Sequence, residues 1–90
     1  MNVLKIIVYG KVQGVWFRKY TQKKAIELNL IGFVTNRKDG TVYIEVANSP
    51  VGINLFLKWL ENEGSPLSKV SKIKTITCNK KINFNEFKII

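Results

Sequence analysis

The apolar positions change their spacing along the chain, and each change marks an element. Residues 3–9 form an almost unbroken run of β-branched, aliphatic and aromatic side chains, typical of a strand with both faces covered. Over residues 17–28 the apolar or small residues recur on one helical stripe. Asn29 suits the left-handed conformation that ends many helices. The first third of the chain therefore predicts a strand followed by a helix.

The middle of the chain predicts a hairpin and a second helix. Strands are expected over residues 31–35 and 41–47, and the Asp39-Gly40 pair between them favours a turn because both residues tolerate positive φ. Ser49-Pro50 indicates a helix start, with serine as the cap and proline at the first helical position. Gly64 is expected to end that helix.

Two further strands, over residues 70–78 and 84–89, complete the pattern and are joined by a polar turn around Lys80-Lys81. The first six elements, in the order strand, helix, strand, strand, helix, strand, are those of the ferredoxin-like βαββαβ fold. We expect an α+β sandwich, with an antiparallel sheet of four to five strands and two helices on one face. With 90 residues the chain is too short for two independent cores, so one domain over residues 1–90 is expected.

Composition removes several classes of chemistry. The chain has no histidine, which excludes histidine-based acid–base catalysis and ordinary zinc hydrolysis. Cys78 is the lone cysteine, so an internal disulfide is excluded. No apolar run approaches the roughly 18–20 residues of a membrane helix, and no signal peptide is evident. We therefore expect a cytoplasmic protein without a membrane partner.

The charge balance points to anions. Fifteen lysines and arginines face six acidic residues, for a formal net charge of +9. Such a surface attracts nucleic acid, anionic lipid or small phosphorylated substrates. A solvated surface that is merely basic would have the same composition, so the charge alone leaves these alternatives open.

One loop carries the candidate chemistry. The segment from Gly10 to Arg18 joins a strand end to a helix start, where free amides and the helix dipole favour an anion. Gly10 and Gly14 would let the main chain curl around phosphate oxygens, although a plain tight turn uses glycines in the same way. Arg18 opposes the helix dipole unless an anion sits there, and its planar fork suits phosphate.

The loop lacks a strong nucleophile. Cysteine-dependent phosphatases place a thiolate in a similar cradle, but Cys78 lies far along the chain. A site of this kind could bind phosphate and position water, and it would need an already activated phosphoryl group. An acyl phosphate fits because its leaving carboxylate has a pKa of roughly 4. Asn36, before the predicted turn, can orient water through its amide, although asparagine is also ordinary turn chemistry.

Two motifs resemble those of the acylphosphatase family. Residues 10–18 read GKVQGVWFR and match the pattern GxVQGVxFR, while residues 32–42 read GFVTNRKDGTV and resemble GWVxNxxDGxV. Gly64-Ser65-Pro66 followed by Val70 is similar to the family's GSPxxxV segment. The resemblance covers nearly the whole chain. It implies a small ferredoxin-like hydrolase that cleaves the carboxyl–phosphate bond of acyl phosphates without metal or other cofactor.

The resemblance also implies roles for particular residues. Arg18 would be the phosphate-binding catalytic arginine and Asn36 would orient the attacking water, while a phosphate oxygen of the substrate takes the proton. Gly10 would support the loop, and Thr41 would support Asn36 or act only as a strand residue. Inorganic phosphate is expected as product and competitor, and the protein as a monomer. The main-chain cradle would comprise Lys11, Val12, Gln13, Gly14, Val15, Trp16 and Phe17.

Departures from the family pattern are few, and alternatives remain. Phe33 stands where tryptophan is usual, and Asn29 and Asn48 stand where glycine is usual. A non-catalytic module that binds nucleic acid through its basic surface would use Tyr9 or Tyr43 on the open sheet face. The RNA-recognition pattern is absent, so this partner is not expected. Acylphosphatase-like domains also occur in larger carbamoyl-transfer proteins, against which the short length argues.

Overall fold

Among the residues that the structure describes, five strands and two helices follow one another in the predicted order. The computed structural model describes residues 2–81 and 84–90. Its longer helix has 13 residues, and no helix in these ranges is long and apolar enough to cross a bilayer. The elements are β1 (Asn2–Lys11), α1 (Phe17–Glu27), β2 (Ile31–Asn36), β3 (Val42–Ala47), α2 (Pro50–Asn62), β4 (Lys69–Asn79) and β5 (Phe87–Ile89).

The five strands within the described ranges form one mixed sheet. The strand order is β4-β1-β3-β2-β5. β1 pairs antiparallel with β3 and β4, and β2 pairs antiparallel with β3, but β2 and β5 are parallel. The expectation of a purely antiparallel sheet is therefore wrong at one edge. The reason is that β5 runs opposite to β4, and hence along β2, when the chain crosses to the far edge of the sheet.

The last strand is also shorter than predicted. A strand was expected over residues 84–89, whereas β5 covers Phe87–Ile89. Phe84 instead packs its ring against Phe33 with centroids 5.3 Å apart. Phe33 lies opposite Glu45, on the sheet face away from the helices. Phe84 therefore anchors the β4–β5 connection to that face, and residues 82 and 83 before it lie outside the described ranges.

Both helices pack on the same face of the sheet, as predicted. A single apolar cluster holds buried side chains from the two helices and from the strands. Phe17 of α1 stacks on Trp59 of α2 with ring centroids 6.3 Å apart, and Phe56 contacts Trp59 at 6.1 Å and Phe87 of β5 at 6.5 Å. This row of rings joins both helices to the β5 edge.

Two asparagines stand at left-handed positions that glycine usually fills. Asn29 after α1 has a φ of 60° and Asn48 after β3 has a φ of 104°. Asparagine tolerates such angles better than other non-glycine residues. The side-chain amide of Asn48 also donates a hydrogen bond to the carbonyl of Asn29 at 2.8 Å. The two departures from the family pattern thus form one contact, and the predicted left-handed end of α1 is confirmed.

Candidate active site

Helix α1 begins without a capping side chain. Trp16 is its N-cap residue, in a left-handed conformation with φ 62° and ψ 17°, and makes no side-chain cap. The first helical hydrogen bond joins the Tyr20 amide to the Trp16 carbonyl at 3.1 Å. The amides of Phe17, Arg18 and Lys19 therefore have no acceptor within the helix. No acidic residue lies in the first turn to compensate the positive end of the dipole.

Helix α2 shows what the same fold does at an ordinary helix start. The hydroxyl of Ser49 accepts a hydrogen bond from the Gly52 amide at 3.0 Å, and proline occupies the first helical position. Proline thus removes one orphan donor of α2, and the serine hydroxyl satisfies another. Since α1 has neither feature, its free amides and the neighbouring arginine favour an anion at that end.

Three apolar side chains anchor the loop from β1 to α1 in the core. Val12 and Val15 are buried in the core, as is Phe17 at the start of α1. Gly14 and Trp16, on either side of Val15, have positive φ of 73° and 62°. Left-handed residues that alternate with ordinary ones turn successive amides inward and form an anion nest. The sequence of this loop therefore folds into a curled main chain pinned by apolar side chains.

Gly10 acts at a bulge before the loop. The register between β1 and β4 shifts between Tyr9 and Gly10. Gly10 has a φ of 122°, and a Cβ there would lie 2.1 Å from the carbonyl oxygen of Lys69. Only glycine fits this close approach of two main chains. Gly10 thus shapes the path from β1 and Lys11 into the loop.

Gln13 fastens the loop to the turn between β2 and β3. Its side-chain amide donates to the carbonyl of Arg37 at 2.7 Å and to the carbonyl of Thr41 at 2.8 Å. The motif predicts a role only for the main chain of Gln13, so these side-chain hydrogen bonds were not expected. The available signal was a long amide in a loop otherwise made mostly of glycine and apolar residues.

Ser65 holds the loop from the opposite side. Its hydroxyl donates to the carbonyl of Val15 at 2.9 Å, and the residue is 1% exposed. Ser65 belongs to the Gly64-Ser65-Pro66 motif, but its contact with the loop was not predicted from the sequence. The loop is therefore fixed at two points, by Gln13 toward the hairpin and by Ser65 after α2.

Asn36 ends β2 with an unsatisfied oxygen. It lies opposite Val42, whose side chain is fully buried in the core, so Asn36 is on the helix-bearing face of the sheet. Its Oδ1 is one of two buried side-chain oxygens in the described ranges without a hydrogen-bond partner, the other being Thr21 Oγ1. A buried acceptor without a partner is costly, and at a candidate site it suits a ligand or water.

Arg18 is free of protein partners within residues 2–81 and 84–90. The residue is partly exposed, and no hydrogen bond or ion pair to its guanidinium occurs in these ranges. It lines a surface groove of about 460 Å³ together with Gly14, Trp16 and Ile89. Ile89 aligns with Val34, two residues before Asn36. The structure thus places the loop, Arg18 and Asn36 at one end of the molecule.

Thr41 closes the hairpin turn. Its hydroxyl and its amide both donate to Asp39 Oδ1, at 2.6 Å and 3.0 Å. These two bonds are the main reason why the pKa of Asp39 lies below its ordinary value. Within the described ranges the hydroxyl of Thr41 bonds to Asp39 and not to Asn36. Thr41 therefore orders the turn, and its carbonyl receives Gln13.

Potential metal ligands and thiols lie apart from this loop. Nowhere in the described part of the chain do three or more cysteine or acidic side chains come together as a metal site. Cys78 is partly buried in β4, paired with Val3 of β1. The groups that this end of the molecule offers to a ligand are main-chain amides, the Arg18 guanidinium and the Asn36 carboxamide.

Several known proteins are similar to this chain in sequence and in fold. A family model described as Acylphosphatase matches residues 4–89. Acylphosphatase-1 of Mus musculus is 39% identical over 83 residues, which span 92% of this chain and 75% of that protein. The Acylphosphatase of Bacillus licheniformis is 41% identical over 85 residues, which span 94% of this chain and 93% of that protein. The crystal structure of acylphosphatase from Bacillus subtilis has a TM-score of 0.93 at 37% identity and covers 100% of this chain and 99% of its own. Together these matches show that the chain belongs to the acylphosphatase family of hydrolases.

Proposed function

We propose that this acylphosphatase cleaves acyl phosphates by direct attack of a water on phosphorus. In this mechanism the loop and Arg18 hold the phosphoryl group, and Asn36 orients the water. The observation that carries the proposal is the buried, unpartnered Oδ1 of Asn36 beside a loop fastened to its hairpin by Gln13. No covalent intermediate with the protein forms.

Phosphate binding follows from the uncapped end of α1. The free amides of the first helical turn and the curled loop present donors to the three outer oxygens of the phosphoryl group. The guanidinium of Arg18 can add two parallel hydrogen bonds to the same group. As these donors are fixed in advance, they also stabilise the charge that shifts onto these oxygens in the transition state.

Water attack needs a group that aligns it. The carboxamide oxygen of Asn36 accepts a hydrogen bond from a water and thereby directs an oxygen lone pair of that water toward phosphorus. The new oxygen–phosphorus bond forms as the bond from phosphorus to the acyl oxygen breaks. A phosphoryl oxygen takes the proton of the water, and the products are a carboxylate and inorganic phosphate. The leaving carboxylate needs no general acid because its pKa is roughly 4.

Isotope experiments test this proposal. Hydrolysis of benzoyl phosphate in H₂¹⁸O, with a chelator present, is expected to place the label in inorganic phosphate and none in benzoate. Benzoyl phosphorothioate made chiral at phosphorus with sulfur, ¹⁶O and ¹⁸O, and hydrolysed in H₂¹⁷O, is expected to give chiral inorganic thiophosphate with inverted configuration. Retention of configuration would reveal a covalent intermediate, and a rate abolished by the chelator would reveal a required metal; either result would overturn the mechanism.

The basic surface does not support the nucleic-acid alternative through its tyrosines. The ring of Tyr9 lies 4.5 Å from Lys72 Nζ, and the ring of Tyr43 lies 4.3 Å from Arg37 Cζ. The Tyr43 hydroxyl also donates to Glu45 at 2.6 Å. Both rings are engaged within the molecule, so neither is a free stacking platform for a base. We therefore make no second proposal.

A further inference from the structure

We propose that an exposed apolar surface beside the phosphate loop binds the acyl group of the substrate. This surface, here called the acyl platform, consists of Trp16, Tyr20 and Leu67. It would favour acyl phosphates whose acyl group is aromatic or a large aliphatic chain over those with a small acyl group. The inference rests on the proposed function, because the phosphoryl group must be held by the adjacent loop.

The platform gathers three of the large apolar side chains that the described surface leaves exposed. Trp16 is 74% exposed, Leu67 is 69% exposed and Tyr20 is 41% exposed. Together with Val15 and Pro66 they line a surface groove of about 280 Å³. None of these five residues is charged. Adjacent exposed apolar side chains on a small protein mark a binding surface more often than isolated ones do.

The platform is continuous with the candidate phosphate site. Trp16 lines this groove and also the groove that contains Gly14 and Arg18. Its indole therefore borders both. An acyl phosphate has its acyl group one oxygen away from phosphorus. A substrate whose phosphoryl group is held by the loop thus has its acyl group within reach of the indole.

The conformation of Trp16 argues for a role beyond folding. A left-handed conformation is unfavourable for a bulky residue, and φ is 62° here. Its side chain makes no ring contact or hydrogen bond with any other residue in the described ranges, so packing of the indole does not offset this strain. Strained backbone at an exposed aromatic beside a candidate site is typical of a ligand-binding position.

The chemistry of the platform defines the acyl groups that it accepts. None of the residues that line this groove is charged, so a carboxylate or ammonium group on the acyl chain would find no opposite charge among them. Burying such a group there would cost free energy. A flat apolar group can stack on the indole of Trp16 and contact Leu67. Contacts of this size typically change specificity by about 10- to 200-fold.

Two substrates with the same phosphoryl group separate the platform from the phosphate site. We expect wild-type protein to have at least about a tenfold higher kcat/KM for benzoyl phosphate than for acetyl phosphate. Leu67→Ser and Tyr20→Ser are each expected to lower kcat/KM for benzoyl phosphate about 5- to 10-fold. In both variants, kcat/KM for acetyl phosphate and the inhibition constant of inorganic phosphate are expected to change by less than about twofold.

Val51→Ser is the matched control, because Val51 is 71% exposed on α2 and lines neither groove. Its kinetics with both substrates are expected to equal those of the wild type. Trp16→Asn keeps a residue that tolerates positive φ, and it is expected to lower the benzoyl-to-acetyl ratio of kcat/KM most strongly.

The outcomes distinguish two failures. If Leu67→Ser and Tyr20→Ser lower kcat/KM equally for both substrates, the proposal of an acyl platform is wrong. The same holds if the wild type does not prefer benzoyl phosphate. The proposed phosphate site is unaffected by either result. If the wild type hydrolyses neither substrate and inorganic phosphate does not bind, the proposed function itself fails.

Discussion

The side-chain amide of Gln13 donates a hydrogen bond to the main-chain carbonyl of Thr41 at 2.8 Å, across 28 residues of sequence. The same amide bonds to the carbonyl of Arg37 at 2.7 Å. These two bonds join the loop at the uncapped start of α1 to the turn that follows Asn36. The proposed phosphate donors and the proposed water-orienting group are therefore held in one rigid unit.

Gln13→Ala is expected to loosen this unit. The substitution removes one of the two donors to each turn carbonyl, while the Gly40 amide still donates to the Arg37 carbonyl and the Arg37 amide to the Thr41 carbonyl. Each lost hydrogen bond typically contributes about 0.5–1.5 kcal/mol. We expect the free energy of unfolding to fall by about 1–3 kcal/mol. We also expect kcat/KM for benzoyl phosphate to fall at least about tenfold, because small displacements of positioning groups slow catalysis strongly. Urea unfolding and steady-state kinetics measure the two effects.

Gln22→Ala supplies the comparison. Gln22 also donates its side-chain amide to a main-chain carbonyl, that of Phe87 at 3.1 Å, but away from the loop. We expect a similar loss of stability with kcat/KM unchanged. Equal losses of activity in the two variants would mean that Gln13 matters only for folding.

Ser65→Ala is expected to weaken phosphate binding as well as stability. The Val15 carbonyl would lose its 2.9 Å donor in a buried position, at a cost of about 1–3 kcal/mol. Since Val15 lies within the curled loop, the inhibition constant of inorganic phosphate should rise. Ser49→Ala removes the cap of α2 and is expected to cost about 1 kcal/mol without changing that constant. If phosphate inhibits Ser65→Ala as it does the wild type, the hydroxyl does not shape the loop.

Substitutions at the two loop glycines should differ sharply in stability. Gly10 has a φ of 122°, and the Cβ of an alanine there would lie 2.1 Å from the Lys69 carbonyl oxygen. We therefore expect Gly10→Ala to lower the free energy of unfolding by about 3 kcal/mol or more. Gly14 has a φ of 73° and open space around it, so Gly14→Ala should cost about 1–2 kcal/mol. Thermal and urea unfolding of the two variants decide this. Equal losses would show that the bulge relaxes easily.

A buried carboxylate on the open sheet face predicts acid sensitivity. Glu45 is 6% exposed, pairs with Lys80 at 2.7 Å and accepts the Tyr43 hydroxyl at 2.6 Å. Burial raises the pKa of Glu45, but the hydrogen bonds from Lys80 and Tyr43 outweigh it and hold the pKa below its ordinary value. A lowered native pKa stabilises the fold above the unfolded pKa of about 4.3, and this contribution is lost as pH falls through the native pKa.

Urea unfolding between pH 7 and pH 3 tests this sign. The free energy of unfolding should decline below about pH 5 in the wild type. Glu45→Gln should flatten that decline, and Lys80→Met should reduce it by removing the main partner. If both variants keep the pH dependence of the wild type, Glu45 does not contribute to it.

The fold was largely predictable because its signals are local. The end of α1 at Asn29 and the start of α2 at Ser49 follow from residues whose conformational preferences act within a few positions. The parallel pairing of β5 was not predictable, because it depends on which sheet edge the chain reaches after β4. The misplaced start of β5 has a similar cause. Phe84 is apolar in either role, and only its contact with Phe33 shows that it covers the open face.

In the candidate site too, the residues within local motifs were predictable and the long-range contacts were not. The loop, Arg18 and Asn36 could be named from their motifs and from the chemistry of phosphate. The hydrogen bonds from the side chains of Gln13 and Ser65 join positions 24 and 50 residues apart, so no local sequence pattern predicts them. The acyl platform likewise depends on Leu67 reaching the side of Trp16, which only the folded chain shows.

The most direct test of the mechanism compares turnover with phosphate binding in Asn36→Ala. If Asn36 orients the water and the loop with Arg18 binds the phosphoryl group, kcat for benzoyl phosphate should fall about 100- to 1,000-fold. The inhibition constant of inorganic phosphate should stay within about threefold of the wild-type value, and Asn54→Ala, on the exposed face of α2, should change neither. A variant that keeps its turnover, or that loses phosphate binding in proportion to turnover, would contradict the division of roles.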